Sequence, residues 1–174
     1  MNLPCPPLTA VLCERKNEIV GEWLARTLEP YSESTRRFLA QERDCFRNPT
    51  GHTLREGLSV LFDGLMRQTE TADLAPALDG IVRIRAVQDL AASRALAFLF
   101  VLKQIVRHAL KSEAARYSEE LRTLESRIDE MAGLAFDIYT SCRQQICELR
   151  TKELRHRVPV MKLERWLAEE ESIG

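Results

Sequence analysis

Apolar residues recur at spacings of three and four along most of this chain, and the recurrence stops at a few well-marked points. Between Thr9 and Leu28 the apolar positions include Val11, Leu12, Ile19, Val20, Trp23, Leu24 and Leu28, which predicts one amphipathic helix. Pro30 ends it, because proline disfavours helix in the residue before it and has no N–H to donate. A shorter helix is predicted from Ser34 to Cys45, with Phe38 and Leu39 turned inward. In "FRNPTGHTLREGL" the run Asn48-Pro49-Thr50-Gly51 is turn chemistry. Thr53-x-x-Glu56 then matches a capping box opening a helix to about Gln68, with Leu54, Leu58, Leu61, Phe62 and Leu65 as its core stripe.

Asp73 is expected to cap the next helix, with Pro76 in its first turn and Ile81, Ile84, Val87 and Leu90 as its buried face. A central helix, capped by Ser93 and running to Leu110, is apolar on every side, so it should be surrounded by other helices. From Arg116 to about Arg157 the residues Tyr117, Leu121, Leu124, Ile128, Met131, Ala135, Ile138 and Cys142 follow a heptad seam. The seam shifts through Ile146 and Leu149, and the side chains beyond are mostly charged. Such a helix should project past the core and pack on a partner. Pro159 is expected to break it, leaving Met161 to Glu170 as a small amphipathic helix with Leu163, Trp166 and Leu167. No segment has strand spacing and none repeats. The predicted fold is all-α: one domain of six or seven helices with a long C-terminal helix. It divides into a flexible tail over 1–8, a helical domain over 9–158 and a short amphipathic helix over 159–174.

Composition narrows the function. A chain of 174 residues can bury a real core in one domain. A net charge of −1 and a pI of about 6.3 exclude a global field that would recruit nucleic acid or an anionic membrane. The longest apolar run, Ala95 to Leu102, is far short of the roughly 20 residues of a spanning helix, so no membrane insertion is expected. The start, "MNLPCPPLTAVLCERK", lacks the basic and apolar regions of a secretory signal. Leu12 is also too large to precede a lipoprotein cysteine at Cys13, so a cytoplasmic location is expected. The cysteines at 5, 13, 45, 142 and 147 form no CxxC and read as reduced thiols. Cys5-Pro6 is the dipeptide of some haem-regulatory motifs and reads here as part of a proline-rich tail.

No glycine-rich phosphate loop, nucleophile elbow, HExxH or di-iron ExxH is present, so no catalytic residue, metal site or cofactor is assigned. His52, His108 and His156 lie on separate elements. Around His108, Lys103, Arg107 and Lys111 suit the wet end of a helix better than a dry haem pocket. Glu119, Glu120, Glu125, Arg122 and Arg127 read as a solvated face. Asp129 and Asp137 read as structural partners of Arg83, Arg85, Arg94 or Arg143. The basic end formed by Arg143, Arg150, Lys152, Arg155 and Arg157 is interleaved with Glu148 and Glu153 and carries no stacking aromatics, so nucleic acid is not expected. "RIRAVQDLAASRAL" is a junction between two helices. Arg85 and Asp89 stand there at i, i+4 for pairing, and Arg83, Gln88 and Arg94 converge on the same corner.

Three blocks in order carry a family resemblance. They are "FRNPTGHTLREGLSVLFDGL", "RIRAVQDLAASRALAFLFVLKQIV" and "IDEMAGLAFDIYTSCRQQICELRTKELRHR". Over about residues 10 to 157 the chain resembles the N-terminal domain of RsbRD-type RsbT co-antagonists, the sensory half of stressosome regulators. The resemblance implies a globin-like helical fold without haem, commonly dimeric, that senses or relays a signal rather than catalysing a reaction. In that family the last helix carries output to a C-terminal STAS domain that binds a kinase. This chain stops at Gly174, so either it is a stand-alone relative or its output module is a separate protein, and the expected partner is a regulatory protein of STAS-domain or kinase type. The expected ligand or signal residues are Arg83, Arg85, Gln88, Ser93, Lys103, Asp137, Tyr139 and Arg143. The expected dimer or partner-helix positions are Leu121, Leu124, Ile128, Met131 and Ile138. The expected function is a non-enzymatic, homodimeric sensory or regulatory domain. The alternative is a small-molecule or tetrapyrrole-binding protein that uses a globin-like cavity.

Overall fold

The computed structural model describes the backbone of residues 7–171 and the side chains of residues 7–155. Among the described residues there are seven α-helices and no strand. They are α1 (Leu8–Glu14), α2 (Lys16–Thr27), α3 (Glu33–Gln41), α4 (Pro49–Met66), α5 (Ala75–Val87), α6 (Ala92–Leu110) and α7 (Ser118–Glu171). Short 3-10 helices at Thr71–Leu74 and Lys111–Tyr117 lead into α5 and α7. The fold is therefore all-α with a long C-terminal helix. It forms two compact units, Met1–Tyr139 and Thr140–Gly174, and the boundary falls inside α7.

The first unit is built on apolar stripes. Leu54, Leu58, Leu61, Phe62 and Leu65 of α4 are all buried, as its spacing predicts. Ile19 and Trp23 of α2 and Leu96, Phe98, Leu99 and Leu102 of α6 complete the interior. Gly57 is what lets α4 lie close to α5, since a Cβ there would come within 2.9 Å of Ile81. The heptad seam of α7 also turns inward. Tyr117, Leu121, Leu124, Ile128, Met131 and Ala135 are buried within the chain, which serves its own core rather than an outside partner.

Several boundaries differ from the sequence prediction, each for a local reason. The helix expected from Thr9 to Leu28 is two helices, because Arg15 leaves helical geometry (φ −100°, ψ 12°). Its guanidinium donates instead to the carbonyl of Ala109. Phe38 is exposed while Leu39 is buried, since α3 has only one inward position. The expected capping box at Thr53 is not used: α4 starts four residues earlier, and the Thr53 hydroxyl bonds back to the Pro49 carbonyl. The true cap is Asn48, 1 % exposed. Its Oδ1 accepts from Gly51 N at 2.8 Å, and its Nδ2 donates to the carbonyls of Leu39 and Glu42. Gly51 must be glycine, because a Cβ would lie 2.4 Å from the Leu39 carbonyl oxygen. Thus "NPTG" is a helix start, not only a turn.

Asp73 sits in the 3-10 turn before α5 and does not cap it. The buried face of α5 is Leu78, Ile81, Val82, Arg85 and Ala86, with Val87 exposed. The predicted 81-84-87-90 series advances by three each time and drifts off any one face of a 3.6-residue helix. Ser93 lies inside α6 and caps nothing; the N-cap is Ala91. Phe100 leaves one face of α6 open, at 49 % exposure. Finally, α7 continues as backbone helix through Pro159 to Glu171, where a break was predicted. Proline removes one i→i−4 bond, and the helix on either side keeps its own. The side chains of Leu163, Trp166 and Leu167, and the tail at Cys5-Pro6, lie outside what the structure describes. In the second unit Cys142 is buried, Arg143 is part-buried, and the charged residues from Glu148 through Arg155 are exposed.

Candidate functional site

The junction between α5 and α6 is organised by one arginine. Arg85 lies on the apolar stripe of α5, four residues after Ile81, and is therefore carried into the core at 1 % exposure. Its Nε donates to the Ala95 carbonyl at 2.6 Å, Nη1 to Thr27 at 3.0 Å and Nη2 to Arg94 at 3.0 Å. One planar fork thus ties the end of α2, the end of α5 and the first turn of α6. Only arginine presents donors in that geometry. The guanidinium carbon also stands 5.7 Å from the centre of the Phe98 ring, within cation–π range. Phe98 stacks on Trp23 with ring centres 6.2 Å apart, and the indole N–H donates to the Phe98 carbonyl at 2.7 Å. Burial pulls the Arg85 pKa below the usual guanidinium range; Tyr31 opposes this and Arg94 adds to it.

The rest of the junction is pinned by polar contacts. Gln88 donates to the Tyr31 hydroxyl at 2.6 Å. Asp89 takes the left-handed conformation (φ 59°), which aspartate tolerates better than most residues. The Tyr139 hydroxyl donates to the Leu90 carbonyl, so α7 is tied to the same turn. Next to Arg85 a cleft of about 370 Å³ is lined by Arg26, Glu29, Pro30, Arg94, Ala97, Phe98 and Val101. Arg26 and Glu29 pair at 3.0 Å.

The eight expected signal residues do not converge on one site. Arg85, Gln88 and Tyr139 gather at the junction. Arg83 turns outward to Asp79 at 2.6 Å, so Arg83, Gln88 and Arg94 do not share a corner. The Arg85–Asp89 pair is replaced by the three carbonyl bonds of Arg85. Lys103 pairs with Asp129 at 2.5 Å, and Asp129 is exposed. Ser93 and Asp137 are exposed, and Arg143 lies on the second unit. The residues that spacing overlooked are Thr27, Tyr31, Trp23 and Phe98. Arg85 itself is expected from the sequence as a signal residue paired with Asp89, not as a buried fork.

Other candidate chemistry is distributed over the surface. Glu119 and Arg122 form an exposed pair as expected, whereas Glu125 is part-buried and holds Arg107 in a two-pronged pair at 2.5 and 2.8 Å. Glu120 accepts from the Leu8 amide at 2.6 Å. Arg127 donates to the Thr69 carbonyl, and its buried Nε has no partner. Glu120 and Arg127 border a second, mostly apolar cleft of about 330 Å³ formed by Leu8, Leu12, Leu65, Met66 and Leu124. A third, open groove of about 550 Å³ carries Phe100 and Phe136 beside Ala92, Ala132 and Gly133. His108 is exposed. Among the described residues the cysteines are unbridged, no three metal-binding side chains come together, and no helix is long and apolar enough to cross a membrane.

No curated protein and no solved structure matches the chain. A family model does, and it spans residues 17–154, from the start of α2 into the charged part of α7. The match takes in the Arg85 junction, the Trp23–Phe98 stack and the inward seam of α7 together. The chain belongs to the family of the RsbT co-antagonist protein rsbRD N-terminal domain.

Proposed function

We propose that the chain is a non-enzymatic, cytoplasmic sensory domain that acts as a homodimer and relays a signal to a partner protein through α7. The family is one of stressosome-type regulatory domains, and α7 carries the reading. One face of its first half is buried in the core, it is tied by Tyr139 to the Arg85 junction, and it continues as one 54-residue helix into a stretch of exposed charges. A change at the junction thus has a covalent route along the backbone of α7 to the charged end. The partner is of the STAS-domain or kinase type.

The dimer contact proposed here is not the heptad seam, because Leu121, Leu124, Ile128 and Met131 are already buried within one chain. Phe100 and Phe136 are half-exposed beside the small residues Ala132 and Gly133. Protrusions next to depressions are what a two-fold, self-complementary interface needs.

Two measurements test the proposal. Sedimentation at tens of micromolar should give a dimer, and a strict monomer would refute homodimerisation. Breaking the Gln88–Tyr31 contact with Gln88→Ala should change amide exchange across residues 140–155, and unchanged exchange there would refute the relay. The small-molecule alternative keeps one supporting observation, the cleft beside Arg85. Its tetrapyrrole form loses its candidate ligand, because His108 is exposed among basic neighbours.

A further inference from the structure

We propose that the cleft beside Arg85 binds a small oxyanion, a carboxylate or a phosphate. The inference rests on the reading of this junction as the place where a signal enters, and adds the chemistry of what enters.

Positive charge dominates the lining of the cleft. Arg26, Arg85 and Arg94 face a single acid, Glu29, so the lining carries 3 − 1 = +2. Glu29 is matched to Arg26 at 3.0 Å. Arg85 and Arg94 have no carboxylate partner among the described residues. The three acceptors of Arg85 are carbonyls, which carry partial charge only. Its charge is therefore buried without being neutralised, an arrangement that normally requires an opposite charge. Arg94 adds a second like charge at the same cleft. Two unmatched cations beside one cavity repel each other, and an oxyanion between them would relieve that repulsion.

The geometry fits the same ligand. Arg85 uses three of its five N–H donors on carbonyls, which leaves two. Arg94 is exposed at the cleft rim, and its side chain can swing to close on a ligand. Planar guanidinium groups recognise carboxylate and phosphate oxygens in pairs. Phe98 and Val101 form an apolar wall, which gives room for a short hydrocarbon body behind the anionic head. If the cleft were only a gap beside a structural arginine, Arg94 would have no effect on anions.

Phe98 also makes binding visible, because it contacts both Arg85 and Trp23. In a Trp166→Phe background Trp23 is the sole indole. At low ionic strength, sodium phosphate and sodium butyrate are titrated separately against Trp23 fluorescence and thermal melting, with sodium chloride as control. The expected result is a saturable change with one or both anions and none with chloride. Affinity should fall about tenfold or more in Arg94→Ala. It should be retained in Arg83→Ala, where the altered residue pairs with Asp79 outside the cleft. Saturation with phosphate alone assigns a phosphorylated ligand, and with butyrate alone a carboxylate. No saturable response to either anion, or equal affinity in Arg94→Ala, overturns the inference. The exchange experiment with Gln88→Ala uses no ligand, so an intact relay without anion binding would refute this inference alone.

Discussion

Replacing Arg85 separates two opposing effects in the core. Arg85→Met keeps most of the side-chain bulk and removes the charge. The loss is three hydrogen bonds from an ionised donor to Thr27, Arg94 and Ala95, each worth about 1.5–3 kcal/mol. The gain is release of a buried charge, whose cost in a folded protein is on the order of several kcal/mol. The Ala95 and Arg94 carbonyls sit in the first turn of α6 and keep their helical partners, which reduces the loss further. The net expectation is a destabilisation of about 2–4 kcal/mol. For a chain of this size that lowers the melting temperature by roughly 5–15 °C. Arg85→Lys should be worse than Arg85→Met, because it keeps the burial cost and lacks a fork to reach three carbonyls.

Urea unfolding of the three proteins checks this order, with equal slopes required for the comparison. The pH dependence has a definite sign. Burial lowers the folded-state pKa of Arg85, so the folded protein holds that proton less tightly than the unfolded chain. Stability from this group would therefore rise only as pH passes above the folded pKa, and below it the cost is constant. The difference between wild type and Arg85→Met should be flat below that folded pKa and grow above it. A Met variant within about 0.5 kcal/mol of wild type, or a Lys variant equal to wild type, would refute the fork as an energetic staple.

Three further outcomes follow from named contacts. Asn48→Ala should cost about 1–3 kcal/mol, since it removes the α4 cap and one of the two donors to each of the Leu39 and Glu42 carbonyls, which keep Arg55; calorimetry would show it. Ile128→Ala should cost about 2–5 kcal/mol in chemical unfolding, whereas Leu149→Ala, at an exposed position, should stay within about 0.5 kcal/mol. If the two were equal, the seam would not be core. Phe100→Glu and Phe136→Glu should each convert a dimer to monomer in sedimentation with little change in melting temperature. A dimer that survives both places the contact elsewhere.

The helical fold was legible because it rests on period. Leu54 to Leu65 and Tyr117 to Ala135 keep to one face of a helix, and both stripes are buried. What period does not give is the partner of a stripe. A heptad seam reads the same whether it meets a second chain or the core of its own, and here Ile128 and Met131 meet their own. Boundaries failed where a side chain competes with the backbone. Thr53-x-x-Glu56 has the form of a cap, yet Asn48 wins, because its amide satisfies carbonyls on α3 as well as the Gly51 amide on α4. That advantage depends on residues nine and six positions earlier, which a local motif does not weigh.

The junction shows the same limit in its chemistry. Arg85 and Asp89 are spaced for an ion pair, and on an exposed helix that spacing would decide the matter. Here burial decides instead. Arg85 follows Leu78, Ile81 and Val82 on the inward face, while the helix has already ended when the chain reaches Asp89, which turns left-handed. The cation is carried in without its anion and is held by carbonyls from two other helices. The fork that reaches three carbonyls comes with a full positive charge, and burying that charge has a desolvation cost that the carbonyls offset only in part. Retaining a full charge, and setting Arg94 beside it, makes sense if the junction must also respond to something negatively charged. Tyr139 fastens α7 to Leu90 in the same turn, while Lys103 and Arg107 pair with Asp129 and Glu125 farther along α6. An anion that drew Arg94 toward Arg85 would thus act on the first turn of α6 and reach the long helix with Tyr139 as its contact at the junction. Tyr139→Phe should therefore leave phosphate or butyrate affinity nearly unchanged while weakening the ligand-dependent change in amide exchange across residues 140–155.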